Sequence, residues 1–94
     1  MSQKGSRTIF LISMEQLRAA RALLGWSQTQ LANRAGMSLP TVKRVETERG
    51  PRVSDEARFA LQRALEQGGV EFIDENGGGA GVRLRKRKQA RKPK

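Results

Sequence analysis

The chain has 94 residues, enough for one compact domain, and it contains no cysteine and no histidine. This composition excludes disulfide bonds, thiol nucleophiles, the common zinc sites and a histidine general base, so we expect neither metal nor cofactor. The formal net charge is +10, and eight basic residues without one acidic residue lie between positions 83 and 94. Such a segment attracts nucleic acid most often, and otherwise anionic membrane surfaces or acidic proteins.

Residues 1–12 are predicted to form an N-terminal extension. A polar stretch leads into the β-prone run 8–12, which either adds a short strand or packs against the core. The apolar part spans only residues 9–12, too few for a secretory signal or a membrane span. We therefore expect a cytoplasmic protein that makes no membrane contact.

The first predicted helix covers residues 14–24. Ser13 is a suitable N-cap, and Gln16, three residues later, completes a capping box. Apolar residues then recur at helical spacing, and Gly25 supplies the C-terminal stop.

The second predicted helix is short, about two turns. Ser27 and Gln30 form another capping box, while Trp26 and Leu31 occupy the two positions of a hydrophobic staple. Gly36 ends this helix.

The third predicted helix begins after Ser38, a third N-cap, and runs to about Thr47. Pro40 is compatible with the helix because it falls in the first turn, where its missing N–H would have no intrahelical acceptor. Val42 and Val45 give the helix an inward face. Residues 48–52 form a loop by composition.

A fourth helix is capped by Ser54 and closed by the glycine pair at 68–69. Its apolar residues follow the i, i+3, i+4, i+7, i+8 spacing of a core-facing stripe. They are Ala57, Ala60, Leu61, Ala64 and Leu65.

Beyond the fourth helix the apolar period changes to two. Residues 70–73 and 82–84 flank the glycine-rich stretch 76–81, which predicts a β-hairpin appendage over 69–84. An isolated hairpin is barely stable in water, so it needs the 9–12 run, the helical core or a second protomer as support. Residues 85–94 are predicted to be a disordered basic tail.

Two short helices separated by a three-residue turn are the most informative feature of the 13–68 region. Ala32 is small where the two helices must cross closely, and Gly36 allows the positive φ that a sharp turn requires. Val42 and Val45 hold the second of these helices against the first. The outward face of that helix then carries Leu39, Pro40, Lys43, Arg44 and Thr47.

The stretch from Gln16 to about Pro51 resembles the helix-turn-helix domain of the lambda-repressor and Cro type, also called the xenobiotic-response-element type. The residues that carry the resemblance are 21–28, Leu31, Ala32, Gly36 and 38–46. The resemblance implies a mainly α, lambda-repressor-like bundle of about four short helices, to which the hairpin and the basic tail are added. It also implies a bacterial regulator of transcription, a repressor for example, that lies on the nucleoid when bound, and not an enzyme.

The resemblance implies roles for particular residues. Arg21 and Glu46 match a partly buried ion pair that joins the first helix to the third. Gln28 matches a position that binds a DNA phosphate through its side chain or its backbone, and a helix N-terminus suits that anion in any protein.

The third helix would enter the major groove of double-stranded DNA with its N-terminal end. The matching contact positions are Ser38, Leu39, Pro40, Thr41, Lys43 and Arg44. Arg44 is the first candidate for a base contact, since guanidinium pairs bidentately with guanine, and Lys43 is a candidate for phosphate. Thr41 would bind phosphate or only satisfy its own helix. Arg49 and Arg52 come just after the third helix, at positions where the DNA phosphates would lie.

Leu39 and Pro40 depart from the polar residues common at these positions in the family. They would pack on thymine methyl groups or serve a protein contact. The leading hypothesis is therefore a sequence-specific DNA-binding homodimer. The alternative is a protein-interaction module, an antiactivator or accessory factor that binds another regulator through Leu39, Pro40 and Val42. A third hypothesis is nonspecific nucleic-acid binding through the tail alone.

Overall fold

The computed structural model describes residues 10–47 and 53–85, which form four helices followed by a β-hairpin. The mainly helical fold with a small C-terminal hairpin is therefore confirmed. Arg49, Arg52 and the basic residues from position 86 onward lie outside the described residues. The elements are α1 (Met14–Leu24), α2 (Gln28–Ala35), α3 (Leu39–Thr47), α4 (Asp55–Gly68), β1 (Val70–Ile73) and β2 (Gly81–Leu84).

The first two helices begin at capping boxes. The hydroxyl oxygens of Ser13 and Ser27 accept from the main-chain N–H of Gln16 and Gln30 at 3.1 and 3.0 Å. The two glutamine side chains accept in return from the serine N–H groups at 3.0 and 2.7 Å. Because each box uses residues three apart in the chain, local sequence determines where α1 and α2 start.

The two helices also end in the same way, at Gly25 and Gly36. Both glycines have φ of +70°, a left-handed conformation that costs other L-residues roughly 1–2 kcal/mol. After Gly36, the N–H of Met37 donates to the carbonyl of Ala32 at 2.9 Å, so the chain reverses directly into α3.

The core lies where the four helices and the hairpin meet. Ala20, Leu31, Val42, Leu61 and Leu65 are among its most completely buried members, and they come from all four helices. The remaining buried apolar residues are Ile12, Leu17, Ala32, Val45, Ala64, Val70 and Phe72.

The segment that precedes α1 is held by side chains of α4. Gln62 is fully buried; its Oε1 accepts from the N–H of Ile12 at 3.1 Å, and its Nε2 donates to the carbonyl of Phe10 at 2.6 Å. Arg58 donates to the carbonyl of Ile12 at 3.2 Å. Residues 10–12 are not in a strand, because amide and guanidinium side chains bond the groups that a strand would otherwise pair. This part of the run packs against the core.

The hairpin packs on the helices. β1 and β2 are antiparallel, with Phe72 opposite Val82, and Val70 and Phe72 are buried in the core. Gln16 fastens the hairpin to α1: its Nε2 donates to the carbonyls of Ile73 and Gly81 at 3.1 and 2.9 Å. Of the three supports left open by the sequence, the helical core is the one observed. β2 begins one residue before the predicted strand.

Arg85, which the sequence assigns to the tail, continues the hairpin pairing. Its N–H donates to the carbonyl of Gly69 at 2.7 Å. Its Nη2 donates to the carbonyls of Glu66 and Val70, both at 3.1 Å. The last turn of α4 contains no basic residue of its own, so Arg85 supplies a cation at that helix C-terminus, where the helix dipole favours positive charge.

Candidate nucleic-acid interface

The third helix, α3, presents a cationic outer face. Val42 and Val45 are buried against the core, while Lys43 is exposed and Arg44 is partly exposed. The one acidic residue of α3 is Glu46, and only 1% of its surface is exposed. The outward side of this helix therefore offers positive charge with no competing carboxylate of its own.

The N-terminal turn of α3 is closed by hydroxyl groups. Ser38 Oγ accepts from the N–H of Thr41 at 3.2 Å, and the two hydroxyl oxygens lie 2.9 Å apart. Ser38 thus acts as the N-cap of the helix. Thr41 is bonded to Ser38 within this first turn, and a contact from Thr41 to phosphate stays a prediction.

The apolar pair at the start of α3 is only partly available to a partner. Pro40 is exposed, whereas Leu39 is half-buried. Val42 is fully buried. The prediction that Val42 forms part of a protein-binding surface is therefore wrong, because this side chain packs in the core and holds α3 there.

Glu46 is the point at which three helices meet. Its carboxylate accepts from Arg21 of α1 through two hydrogen bonds, Nε to Oε2 at 2.6 Å and Nη2 to Oε1 at 3.0 Å. Gln28, the first residue of α2, donates from Nε2 to Oε1 at 2.9 Å. A third donor of Arg21, Nη1, binds the carbonyl of Trp26 at 3.0 Å. These bonds fix the relative positions of α1, α2 and α3.

The bond to Glu46 bears on the role of Gln28. Its side-chain amide has two N–H donors, so a contact from this side chain to a DNA phosphate would use the second N–H while the first stays on Glu46. A contact from the main chain is independent of this bond, because the first N–H groups of a helix have no acceptor within the helix. The structure thus brings Gln28 to the carboxylate that also holds Arg21, and leaves the main-chain route unobstructed by this interaction.

Arg18 is a residue that the sequence analysis missed. Its Nη1 donates to the main-chain carbonyl of Glu46, next to the C-terminal end of α3. The side chain is otherwise exposed. The signal that could have found it is its spacing, since Arg18 lies three residues before Arg21 and therefore on the same side of α1.

The predicted site residues divide into three groups. Arg21, Gln28 and Glu46 meet in one hydrogen-bonded cluster. The positions predicted to contact DNA lie along α3 and at its N-cap, while Ala32 is buried within α2 and Gly36 is the C-cap of that helix. Arg49 is outside the described residues.

The fold and this arrangement define a helix-turn-helix DNA-binding protein. A family model described as a helix-turn-helix domain matches residues 15–72, more than half of the chain. The chain therefore belongs to the helix-turn-helix domain family, whose members are DNA-binding regulators and typically not enzymes. No curated protein matches the sequence. Among the described residues, no helix has both the length and the apolar character needed to cross a membrane.

Proposed function

We propose that the protein is a small transcriptional regulator that binds a specific double-stranded DNA sequence. The observation that carries the proposal is that Lys43 is exposed and Arg44 partly exposed on a helix whose one carboxylate, Glu46, is buried. By analogy with other helix-turn-helix proteins, α3 enters the major groove. Arg44 then pairs with guanine O6 and N7, a contact worth about 1–3 kcal/mol of discrimination, and Lys43 binds phosphate.

The N-terminus of α2 is proposed to bind a second phosphate through its main-chain N–H groups. The partial positive charge at a helix N-terminus favours this anion. Gln28 is assigned a positioning role, because its amide is bonded to Glu46. The ion pair between Arg21 and Glu46 would hold this phosphate site at a fixed distance from the recognition helix.

The protein is proposed to act as a homodimer on a two-fold related operator. One recognition helix reads few base pairs, and a dimer doubles the readout with half-sites about one helical turn apart. The two-stranded hairpin supports the idea, since among the described residues each strand has one unpaired edge. Leu84 of β2 is 53% exposed. Sedimentation velocity over a concentration range tests the proposal; a monomer, free and on DNA, would contradict it.

The function is tested by fluorescence anisotropy with DNA from upstream of the protein's own gene and with a scrambled duplex of the same composition. Wild type should prefer the upstream DNA. Arg44→Ala should lower this preference by about 5- to 150-fold, which corresponds to ~1–3 kcal/mol for a bidentate base contact. Lys43→Ala should weaken binding to both duplexes equally. Arg63→Ala, which removes an exposed charge from α4, is the matched control and should change neither the affinity nor the preference between the duplexes.

The protein-interaction alternative rests on the exposed Pro40 beside Leu39. It predicts that wild type shows no preference for any duplex, and that Leu39→Ser abolishes capture of another regulator while Arg44→Ala does not. Nonspecific binding through the tail predicts instead that Arg44→Ala has no effect and that removal of residues 86–94 abolishes binding. The titration, run on these variants and on the truncated chain, separates specific binding from the other two hypotheses, and capture of a regulator by wild type and by Leu39→Ser separates those two from each other.

A further inference from the structure

Arg18 lies on the exposed side of the cluster formed by Arg21, Gln28 and Glu46, which holds α3 in place. Its Nη1 donates to the main-chain carbonyl of Glu46, one residue before α3 ends at Thr47. The side chain is exposed, in contrast to Arg21 one turn further along α1, whose side chain is only 22% exposed. The two arginines therefore reach the same residue of α3, one from inside the cluster and one from the surface.

The charge of Arg18 is not neutralised by this contact. The carboxylate of Glu46 is already occupied by Arg21 and Gln28, and Arg18 binds only the neutral carbonyl of that residue. No carboxylate within residues 10–47 or 53–85 forms an ion pair with Arg18. A carbonyl at a helix C-terminus attracts a cation, but it leaves the net charge of the guanidinium available to an anion.

The geometry of a guanidinium group permits a second partner. Arginine carries five N–H donors in a planar fork, and Arg18 uses one of them on Glu46. The remaining donors match the oxygens of a phosphate. Because the bond to Glu46 already restricts the side chain, less conformational entropy is lost when a phosphate binds than for a freely moving surface arginine.

We propose that Arg18 is a DNA-backbone contact contributed by α1, which binds one phosphodiester oxygen beside the C-terminal end of α3 while it stays bonded to the carbonyl of Glu46. This inference rests on the proposed function and adds a contact outside the helix-turn-helix itself. Arg18 would give affinity without sequence information, since a phosphate is the same at every base pair.

The test compares Arg18→Gln with Arg63→Gln over a salt series, on the upstream and the scrambled duplex. Glutamine retains a donor for the Glu46 carbonyl but not the charge. One lost phosphate contact should reduce the slope of log K against log salt by about 0.9, which is roughly eightfold weaker binding at 0.1 M salt if the contact adds nothing at 1 M. Binding to both duplexes should weaken equally. Arg63→Gln should retain the wild-type slope.

Arg18→Lys and thermal denaturation separate a DNA contact from a purely structural role. Lysine retains the charge, so its salt slope should stay close to that of wild type even if the melting temperature falls. A wild-type slope in Arg18→Gln, with only a lower melting temperature, would overturn the proposal and leave Arg18 as a helix cap. The loss of preference in Arg44→Ala is measured separately, so the DNA-binding proposal can survive that result. If wild type binds neither duplex, both proposals fail.

Discussion

Glu46 shows how one residue can determine the geometry of a binding surface. A buried carboxylate is costly unless its oxygens are paired and hydrogen-bonded. Here the oxygens accept from Arg21 and Gln28, and the main-chain carbonyl accepts from Arg18. The position of α3 relative to α1 and α2 is therefore coupled to the hydrogen bonding of one buried charge.

Replacing Glu46 alone should destabilise the protein strongly. Glu46→Leu leaves the guanidinium of Arg21 without its carboxylate, and breaking a buried ion pair in this way costs about 3–5 kcal/mol. Urea denaturation followed by circular dichroism measures the loss.

The double variant Arg21→Met with Glu46→Leu is the matched control for this prediction. Because replacing both members of a buried pair by apolar residues is often close to neutral, it should recover a large part of the lost free energy of unfolding. If Glu46→Leu costs less than about 1 kcal/mol, the pair behaves like an exposed salt bridge and the structural role given to it is wrong.

At the scale of elements, the helix ends were predictable because each depends on residues close in sequence. Ser13 with Gln16 and Ser27 with Gln30 are complete capping devices within four residues, and a glycine follows each helix. Gln62 and Gln16 also bind main-chain groups that lie 50 or more residues away in the chain. Such bonds depend on tertiary proximity, which the local pattern does not contain.

The same distinction holds for the candidate site. The pairing of Arg21 with Glu46 was expected from a family resemblance, which carries three-dimensional information. The bonds of Gln28 and Arg18 to the same residue were not expected, because they depend on the distance between helix axes. The outward position of Lys43 and Arg44 was predictable, since Val42 and Val45 fix the inward face by helical periodicity.

Gln62→Leu should release the segment before α1. The substitution leaves the N–H of Ile12 and the carbonyl of Phe10 without the partners that Gln62 supplies, and each unsatisfied buried group costs about 1–3 kcal/mol. We expect a loss of roughly 2–3 kcal/mol in the free energy of unfolding, with faster hydrogen exchange at the Ile12 amide. Gln67→Leu, an exposed change on the same helix, should alter neither quantity. Unchanged exchange at Ile12 would refute the anchoring role.

Gly68→Ala should destabilise the protein although alanine favours helices. A Cβ atom at this position would lie 2.5 and 2.7 Å from two ring carbons of Trp26 and 3.0 Å from a methyl group of Leu24. Overpacking of this kind costs about 1–3 kcal/mol. This cost exceeds the stabilisation that the higher helix propensity of alanine gives at the last residue of a helix. Trp26 is the one tryptophan of the chain, so its fluorescence reports both the unfolding transition and the local change.

Gly78→Ala is the control for that steric argument. The nearest atom to a Cβ at Gly78 is 3.7 Å away, an ordinary contact, so this change should be close to neutral. In a Trp26→Leu background, with unfolding followed by circular dichroism, Gly68→Ala should cost less than it does in wild type, because the ring atoms that clash are removed. If Gly68→Ala alone is as stable as wild type, Trp26 and α4 do not pack as closely as this structure has them.

At the scale of the whole molecule, the basic C-terminal segment has two parts. Arg83 pairs with Glu71 across the hairpin at 3.0 Å, and Arg85 is bonded to main-chain carbonyls at the end of α4. The other six of the eight basic residues lie at positions 86–94. We expect the first part to contribute to stability and the second to contribute electrostatic attraction to DNA.

Two truncations that differ by one residue test this division. A chain that ends at Arg85 should fold with the wild-type melting temperature, while the slope of log K against log salt falls by up to about 5, close to 0.9 for each phosphate released by the six lost charges. A chain that ends at Leu84 should show the same reduced slope together with a lower melting temperature, because it also loses the cation at the end of α4. Equal melting temperatures would contradict the role of Arg85. An unchanged slope in both would show that the tail does not contact DNA, and the affinity would then come from the helical domain, where α3, the N-terminus of α2 and Arg18 supply the proposed contacts.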